Sequence, residues 1–390
     1  MLDLGIGIDV FLREYWQKKP LYIKGGIKKF SPPFSENELA GLACEDGVES
    51  RLVIENGKVP WELKSGPFSE DVLKSLPDKK WTLLVQDVDK WISELSELKS
   101  FFRFVPDWRL DDIMVSYSPE GGSVGAHLDH YDVFLLQATG TKRWSIESKA
   151  RKKGDDAYIE GIALRQLEAF DPDQEFVMDA GDLLYLPPRY PHHGVTLNAG
   201  MTFSVGFHAP SYKELLKGHL EHCLSLLDED ERLSDQDLTE QSHPAEITSA
   251  SLEKVDLLLE RLSSSRNGLQ HWLGALLSSP KGQHAASYQA IAPIKPLTWD
   301  ECAAQLQSSH KLIRDESCRI NFIRKGDELL FFVNGIEFIC PPSFLSLVLL
   351  ISGSYVLDGK AVLHEIRGEP ASRKFFLDLI NQGYFYWQHD

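Results

Sequence analysis

The chain has 390 residues, 43% hydrophobic and 25% charged, a balance typical of a globular protein with two or three domains. Its formal net charge of −17 argues against binding nucleic acid, because that binding depends on Lys and Arg side chains that neutralise phosphates. The five cysteines form no Cys-x-x-Cys pair, which favours a reducing cytoplasm and argues against disulfides or a thiolate zinc site.

The N-terminal part of the chain predicts a mixture of short elements. Residues 9–16 (DVFLREYW) predict a helix and residues 20–24 (PLYIK) a strand. Further along, residues 82–88 predict a buried strand and residues 91–105 an amphipathic helix. We find no signal peptide in the first residues and no apolar run of the ~20 residues that a membrane span needs.

From residue 111 to about residue 210 the pattern becomes rich in strands. Gly- and Pro-containing turns separate short apolar runs, which favours a sandwich or barrel over a βαβ fold. The runs are IMVSYS, YDVFLLQA, KRWSIE, QEFVMDA, DLLYLPP, HGVTLN and MTFSVGFHAP.

After residue 210 the spacing of apolar residues is helical. Residues 211–233 and 247–279 predict helices, and residues 278–296 predict a linker. The apolar stripes of these helices need a partner, either within the chain or in a dimer, and we favour a dimer.

The last ~95 residues predict a separate small unit. Two β-hairpin signals occur there, at Lys325-Gly326-Asp327 and at Asn334-Gly335, with helical segments on both sides. This combination resembles a winged helix.

The stretch GAHLDHYD, residues 125–132, contains two overlapping His-x-Asp pairs. They are His127 with Asp129 and His130 with Asp132. Residues two apart on a strand point to the same side, so either pair supplies two of the three ligands of an open iron site. The local pattern leaves both pairs open.

Two further segments supply chemistry that suits such a site. The turn before PHHGV brings either His192 or His193 as a third ligand, and two His with one carboxylate leave three positions of an octahedral Fe(II) open. Lys142 lies on the strand that follows a Thr-Gly turn, where a buried Lys is suited to pair with the distal carboxylate of a dicarboxylate ligand.

The segments HLDHYDVFLLQATGTKRW, AGDLLYLPPRYPHHGV and FLREYWQKKP resemble the cupin/Jumonji-C 2-oxoglutarate oxygenases. More narrowly, nearly the whole chain is similar to the bacterial ribosomal oxygenases, which hydroxylate an arginine of large-subunit ribosomal protein 16. The resemblance implies an α+β multidomain chain. Its parts would be a double-stranded β-helix (jelly-roll) core over residues 1–210, a helical dimerisation domain over 211–290 and a winged-helix-like domain over 291–390.

The resemblance also implies the metal and cosubstrate residues. His127, Asp129 and His192 would bind Fe(II), with 2-oxoglutarate and O₂ as cosubstrates. In the family the 2-oxoglutarate lysine or arginine follows the first ligand by fifteen positions. From His127 this position is Lys142, whereas from His130 it is Ser145, which cannot bind a carboxylate in that way.

Several neighbouring residues receive lesser roles. Ser116 is implied as a further 2-oxoglutarate contact. His130 and Asp132 are expected on the opposite face of the strand or at the cavity edge, and His193 in a surface or supporting role. His130 and His193 depart from the family pattern, in which an amide and an acid are expected, and these departures concern the cavity rim.

Four positions match the family's arginine pocket, namely Asp112, Met114, Tyr131 and Ser204. A carboxylate and a hydroxyl accept guanidinium N–H bonds, while Tyr and Met flank the planar cation.

The resulting prediction is a 2-oxoglutarate-dependent dioxygenase, cytoplasmic and homodimeric, that hydroxylates an arginine of basic ribosomal protein 16. Alternatives are the same chemistry on a histidine, asparagine or methyl-lysine, or a winged-helix DNA-binding regulator with a cupin sensor domain. The C-terminal segment carries few Lys and Arg residues, which disfavours DNA binding. The role of that segment is left open.

Overall fold

The computed structural model describes residues 2–55, 61–264, 268–280, 290–308, 311–366 and 368–388. The chain forms two compact units. The first comprises Met1–Ala209, Pro280–Cys318 and Leu350–Asp390, and the second comprises Pro210–Ser279 and Arg319–Leu349. Each unit therefore draws on segments distant in sequence, and the three-domain division of the sequence stays a prediction.

Eleven α-helices lie in the described residues. They are α1 (Ile8–Glu14), α2 (Glu36–Leu42), α3 (Glu70–Lys74), α4 (Leu95–Ser100), α5 (Tyr212–Ser225), α6 (Ser249–Ser264), α7 (Leu269–Ser278), α8 (Trp299–Gln307), α9 (Leu345–Gly353), α10 (Gly359–Ile366) and α11 (Pro370–Asn381). Short 3₁₀ turns occur at Val88–Lys90, Asp107–Arg109 and Pro342–Phe344. No described helix is both long and apolar enough to cross a membrane.

Seventeen strands lie in the same described ranges. They are β1 (Leu21–Ile23), β2 (Ser50–Ile54), β3 (Glu62–Ser65), β4 (Trp81–Val85), β5 (Leu110–Ser118), β6 (Asp132–Gln137), β7 (Thr141–Ile146), β8 (Gln174–Met178), β9 (Leu183–Leu186), β10 (His192–Asn198), β11 (Gly200–Phe207), β12 (Lys311–Arg314), β13 (Ile320–Lys325), β14 (Glu328–Val333), β15 (Ile336–Cys340), β16 (Val356–Leu357) and β17 (Phe385–Gln388).

Two antiparallel sheets of the first unit form the jelly roll. The large sheet has the order β1-β9-β6-β11-β5-β4-β2-β3, and the small sheet has the order β10-β7-β8. Both faces of strand β6 are apolar, because its side chains point alternately into two hydrophobic cores. Phe134 and Leu136 join the core in which α1, α2 and α4 pack, whereas Val133 and Leu135 pack with Trp144 of the small sheet.

A third sheet, β16-β12-β17, completes the first unit together with α8, α10 and α11. In the second unit, α7 packs against the meander β13-β14-β15. Gly274 makes this packing close, because a Cβ there would lie 2.3 Å from the Phe332 ring.

The strand-rich segment and both C-terminal hairpins follow the sequence prediction. Asn334 and Gly335 have φ values of 50° and 84°, which suit the turn of a two-residue hairpin. The predicted helix over residues 91–105 was too long, since only Leu95–Ser100 is α-helical. The predicted helix over 247–279 is also interrupted, because α6 ends at Ser264 and α7 begins at Leu269, after Gly268 with φ 99°.

Candidate active site

The cavity of the jelly roll collects its side chains from neighbouring strands in register. On β5 and β11, Met114 pairs with Ser204 and Ser116 pairs with Thr202, so alternation points all four to one face. Eight of the nine predicted site residues line this cavity. They are Met114, Ser116, His127, Asp129, Tyr131, Lys142, His192 and Ser204.

His127, Asp129 and His192 converge in this cavity. One ligand atom from each lies within 4.8 Å of the others, and no other such group of three occurs in the described residues. The backbones of His127 and His192 exchange two hydrogen bonds, of 3.0 and 2.9 Å, although 65 positions separate them along the chain. The His192 Nε2 atom lies 3.6 Å from Asp129 Oδ2.

Backbone carbonyls orient both imidazoles. The Nδ1 atom of His127 lies 3.0 Å from the Gly125 carbonyl oxygen, and that of His192 lies 2.9 Å from the Tyr190 carbonyl oxygen. An Nδ1–H that donates to a carbonyl leaves Nε2 with its lone pair free for a metal. Burial lowers the pKa of His192 to about 4, with a further contribution from His127, so this ring stays neutral as a ligand must.

The second His-x-Asp pair does not join this group. His130 is exposed, whereas Asp132 is fully buried on the opposite side of the strand. The Asp132 carboxylate accepts hydrogen bonds from Tyr185 Oη at 2.6 Å and Gln17 Nε2 at 2.9 Å, and pairs with Arg109 at 3.2 Å. It therefore anchors the N-terminal segment to the barrel.

His193 is half-buried beside the cavity and lies outside the group of three. Its Nε2 atom is 3.0 Å from the Ser123 hydroxyl. The structure thus separates the two adjacent histidines, with His192 in the cavity and His193 bonded to a neighbouring loop.

Lys142 is a buried cation without a carboxylate partner in the described part of the chain. It is 6% exposed, and burial lowers its pKa to about 8. Its ammonium lies 5.0 Å from the centre of the Trp144 ring. Gly194 provides room for the lysine stem, because a Cβ there would lie 2.8 Å from Lys142 Cε. A buried unpaired cation favours an anionic ligand.

Asp112 is buried next to this cavity but does not line it. Burial raises its pKa well above the usual range, and the nearby carboxylates of Asp87, Asp89 and Asp111 raise it further. Asp129, burial and Asp112 together raise the pKa of the Tyr131 phenol, which therefore stays neutral.

Sequence reasoning missed several residues of this region. Thr202 and Gly206 lie two positions from Ser204 on β11, so strand alternation could have identified them. Trp144 also lines the cavity, and its indole N–H is buried without a partner in the described residues. Gln86 contacts Asp112 from 26 positions away, a contact that no local pattern predicts.

The donor set fits a divalent metal. Two imidazole nitrogens and one carboxylate on a β-scaffold match the facial triad of non-haem iron(II) oxygenases, and Lys142 supplies the cation that a dicarboxylate cosubstrate needs. The fold and the site thus define the class of cupin-type metal oxygenases.

Comparison with known proteins narrows this class. Residues 97–215 match the family model of the JmjC domain. The chain is 33% identical over 381 residues to the ribosomal protein uL16 3-hydroxylase of Escherichia coli strain K12, with 97% of each chain covered. It is also 33% identical over 338 residues to a probable ribosomal oxygenase of Haemophilus influenzae, covering 84% of this chain and 81% of the relative.

A solved structure agrees with these relatives. The structure of YcfD, a ribosomal oxygenase from Escherichia coli in complex with cobalt and 2-oxoglutarate, matches with a TM-score of 0.82 at 31% identity, covering 100% of both chains. The chain belongs to the JmjC-domain ribosomal oxygenases, as its motifs predicted.

Proposed function

We propose that this protein is an Fe(II)- and 2-oxoglutarate-dependent hydroxylase that acts on an arginine side chain of ribosomal protein uL16. The observation that carries the proposal is the convergence of His127, Asp129 and His192 in one cavity with the unpaired cation of Lys142. The name and the bound 2-oxoglutarate of the Escherichia coli relatives support the same activity.

Within this proposal the triad holds Fe(II), and Lys142 and Ser116 hold 2-oxoglutarate. The iron, when bound, supplies the oxidising chemistry with O₂ and 2-oxoglutarate, while the protein binds, orients and excludes water. The distal carboxylate of 2-oxoglutarate would pair with the Lys142 ammonium in a buried place, where such a bond is strong. Ser116, which is 6% exposed, lies on the cavity face of β5, where its hydroxyl donates only a long hydrogen bond, of 3.5 Å, to the Thr202 carbonyl.

The substrate arginine would lie among Asp112, Met114, Tyr131 and Ser204. A guanidinium stabilises the ionised form of a carboxylate, so it would relieve the raised pKa of Asp112. The neutral Tyr131 ring and the Met114 side chain would flank the planar cation. Neither a neutral histidine nor an amide substrate calls for a buried carboxylate, and the net charge of −17 suits a basic ribosomal protein.

Mass spectrometry of the host's uL16 tests the proposal. We expect incubation with the protein, Fe(II) and 2-oxoglutarate to add one oxygen to an arginine, and the His127→Ala variant to add none. Turnover of 2-oxoglutarate without a modified uL16 would move the search to another protein, and an oxygen on another residue type would exclude arginine. The absence of any turnover in iron-loaded protein would refute the enzymatic function.

We further propose that the protein is a homodimer. Tyr212, Leu216, Leu220 and Leu224 of α5 are spaced by four residues, and they are 92%, 58%, 51% and 66% exposed. Such a continuous apolar ridge supports an interface with a second copy. The winged-helix-like C-terminal domain also remains a proposal, supported by the small sheet β16-β12-β17 beside α8, α10 and α11. Modification of a ribosomal protein would place the enzyme in the cytoplasm.

A further inference from the structure

The two oxygens of the Asp112 carboxylate have different surroundings. Oδ2 accepts a short hydrogen bond from the Gln86 side-chain amide and a longer one, of 3.4 Å, from the Asp87 backbone N–H. In the described part of the chain, no hydrogen bond ends on Oδ1. One oxygen is therefore held by the protein while the other is open.

The orientation of the Gln86 amide is fixed by a second contact. An Arg51 N–H donates to Gln86 Oε1 at 3.2 Å. Because a guanidinium can only donate, the amide oxygen must face Arg51 and the amide N–H must face Asp112. The three side chains form a directed chain of hydrogen bonds, in which each bond polarises the next.

Gly206 determines what Oδ1 faces. A Cβ at this position would lie 3.1 Å from Asp112 Oδ1 and 3.8 Å from Tyr131 Cε2. The φ angle of Gly206 is not in the left-handed region, so its backbone does not require glycine. The missing side chain instead leaves space between the open oxygen and the Tyr131 ring, which lines the cavity.

We propose that Gln86 and Gly206 are specificity-determining residues that present Asp112 to the substrate guanidinium through a single open oxygen, Oδ1. This inference rests on the proposed arginine hydroxylation. Asp112 then accepts one guanidinium N–H, and the Ser204 hydroxyl, two positions from Gly206 on the same face of β11, accepts another. The nearby carboxylates of Asp87 and Asp89 are themselves paired, with Lys90 at 2.6 Å and Lys99 at 3.1 Å, so they contribute little net attraction for a substrate cation.

The test compares KM for uL16 among the full-length parent protein and two variants, with hydroxylated arginine measured by mass spectrometry. In Gly206→Ala the new methyl group crowds Oδ1, and in Gln86→Glu a carboxylate replaces the N–H that holds Oδ2. A lost hydrogen bond to a charged group typically changes affinity by about tenfold or more, so we expect KM for uL16 to rise by about that factor. We expect kcat to change less.

Two control variants carry the same substitutions at positions away from the substrate pocket, and they show the effect of an added methyl group or an added charge alone. Gly41→Ala adds a methyl group into open space on α2, and Gln174→Glu adds a charge on exposed β8. Calorimetry of Co(II) and 2-oxoglutarate binding separates the substrate pocket from the metal centre. We expect both affinities to stay within about twofold of the parent in Gly206→Ala and Gln86→Glu, an outcome that general loss of structure would not give.

A KM for uL16 within about twofold of the parent in both variants would overturn the inference. The proposed function would still stand in that case, provided that the parent hydroxylates an arginine. Failure of the parent to hydroxylate any arginine would overturn both. If Gly206→Ala does not fold, the variants Gln86→Glu and Arg51→Met test the inference instead. Arg51→Met removes the donor that orients the Gln86 amide. An unchanged KM in those two would also overturn the inference.

Discussion

Lys142 brings a positive charge into the jelly roll at a position where water is scarce. Its stem passes Gly194, its ammonium lies near Trp144, and no described carboxylate neutralises it. Most buried lysines are paired, because burying a lone charge costs free energy. The cost is acceptable where a ligand supplies the counter-charge.

The pH dependence of 2-oxoglutarate binding should report on this lysine. Its pKa of about 8 means that the free enzyme holds the charge below pH 8 and loses it as pH rises through that value. We expect the KM for 2-oxoglutarate to be lowest below about pH 7 and to rise by up to about tenfold per pH unit above about pH 8.

Steady-state kinetics from about pH 6.5 to about pH 9.5 measure this dependence. In Lys142→Met, the KM for 2-oxoglutarate should be high, by roughly 10- to 100-fold, and independent of pH over this range. A flat profile in the parent protein would show that Lys142 does not bind the cosubstrate through its charge.

At the scale of elements, the turn between β9 and β10 ties the ligand segments together. Arg189 has a φ of 69°, an unfavourable backbone conformation for a residue with a side chain. Its backbone N–H donates to the Asp129 carbonyl at 2.7 Å, three positions before His192. Its guanidinium donates to the carbonyls of Arg151 and Lys152, at 2.7 and 2.6 Å, and pairs with Asp156 at 2.8 Å.

Replacing this side chain should loosen the metal site without straining the turn. In Arg189→Gly the backbone conformation becomes easy to adopt, but the side-chain bonds to Arg151, Lys152 and Asp156 are lost. We expect Co(II) affinity, measured by calorimetry, to fall by about tenfold. Arg165 is exposed and lies, like Arg151 and Asp156, in the loop between β7 and β8. The control variant Arg165→Gly should therefore bind Co(II) like the parent. Equal affinities in both variants would rule out this role for Arg189.

The elements were largely predictable where local chemistry sets them. Gly and Pro turns separated the jelly-roll strands, and the Asn334-Gly335 turn placed its hairpin. The helix predicted over residues 91–105 was too long, because the irregular segments on either side of α4 also contain buried apolar residues. Phe102 and Val105, for example, are 1% and 3% exposed outside α4, and burial alone does not distinguish a helix from a packed turn.

The site was predictable in part for a related reason. Residue types and strand alternation identified both His-x-Asp pairs, but long-range pairing decides between them. The bonds between His127 and His192 join segments far apart in sequence, and the bonds from Tyr185 and Arg109 hold Asp132 elsewhere. Only the family resemblance selected His127 and Asp129, the pair that the structure brings together with His192.

At the scale of the whole molecule, the apolar ridge of α5 is the feature that most needs a partner. We expect the parent protein to be dimeric and the double variant Leu216→Glu, Leu220→Glu to be monomeric, because two charges would be buried in the interface. Size-exclusion chromatography with light scattering measures both masses. Lys213→Glu, an exposed charge reversal on the same helix, serves as the control. A monomeric parent at micromolar concentrations would contradict the dimer.

Gly194 has a consequence for how this enzyme can diverge. A methyl group there would meet both Lys142 Cε and the Trp144 ring at 2.8 Å. Positions 142, 144 and 194 are thus coupled, and the effects of substitutions among them should not be additive. A descendant that acquires a side chain at position 194 must also remodel the lysine or the indole. Drift toward a different cosubstrate therefore requires paired changes on two adjacent strands, which makes this part of the barrel slow to evolve.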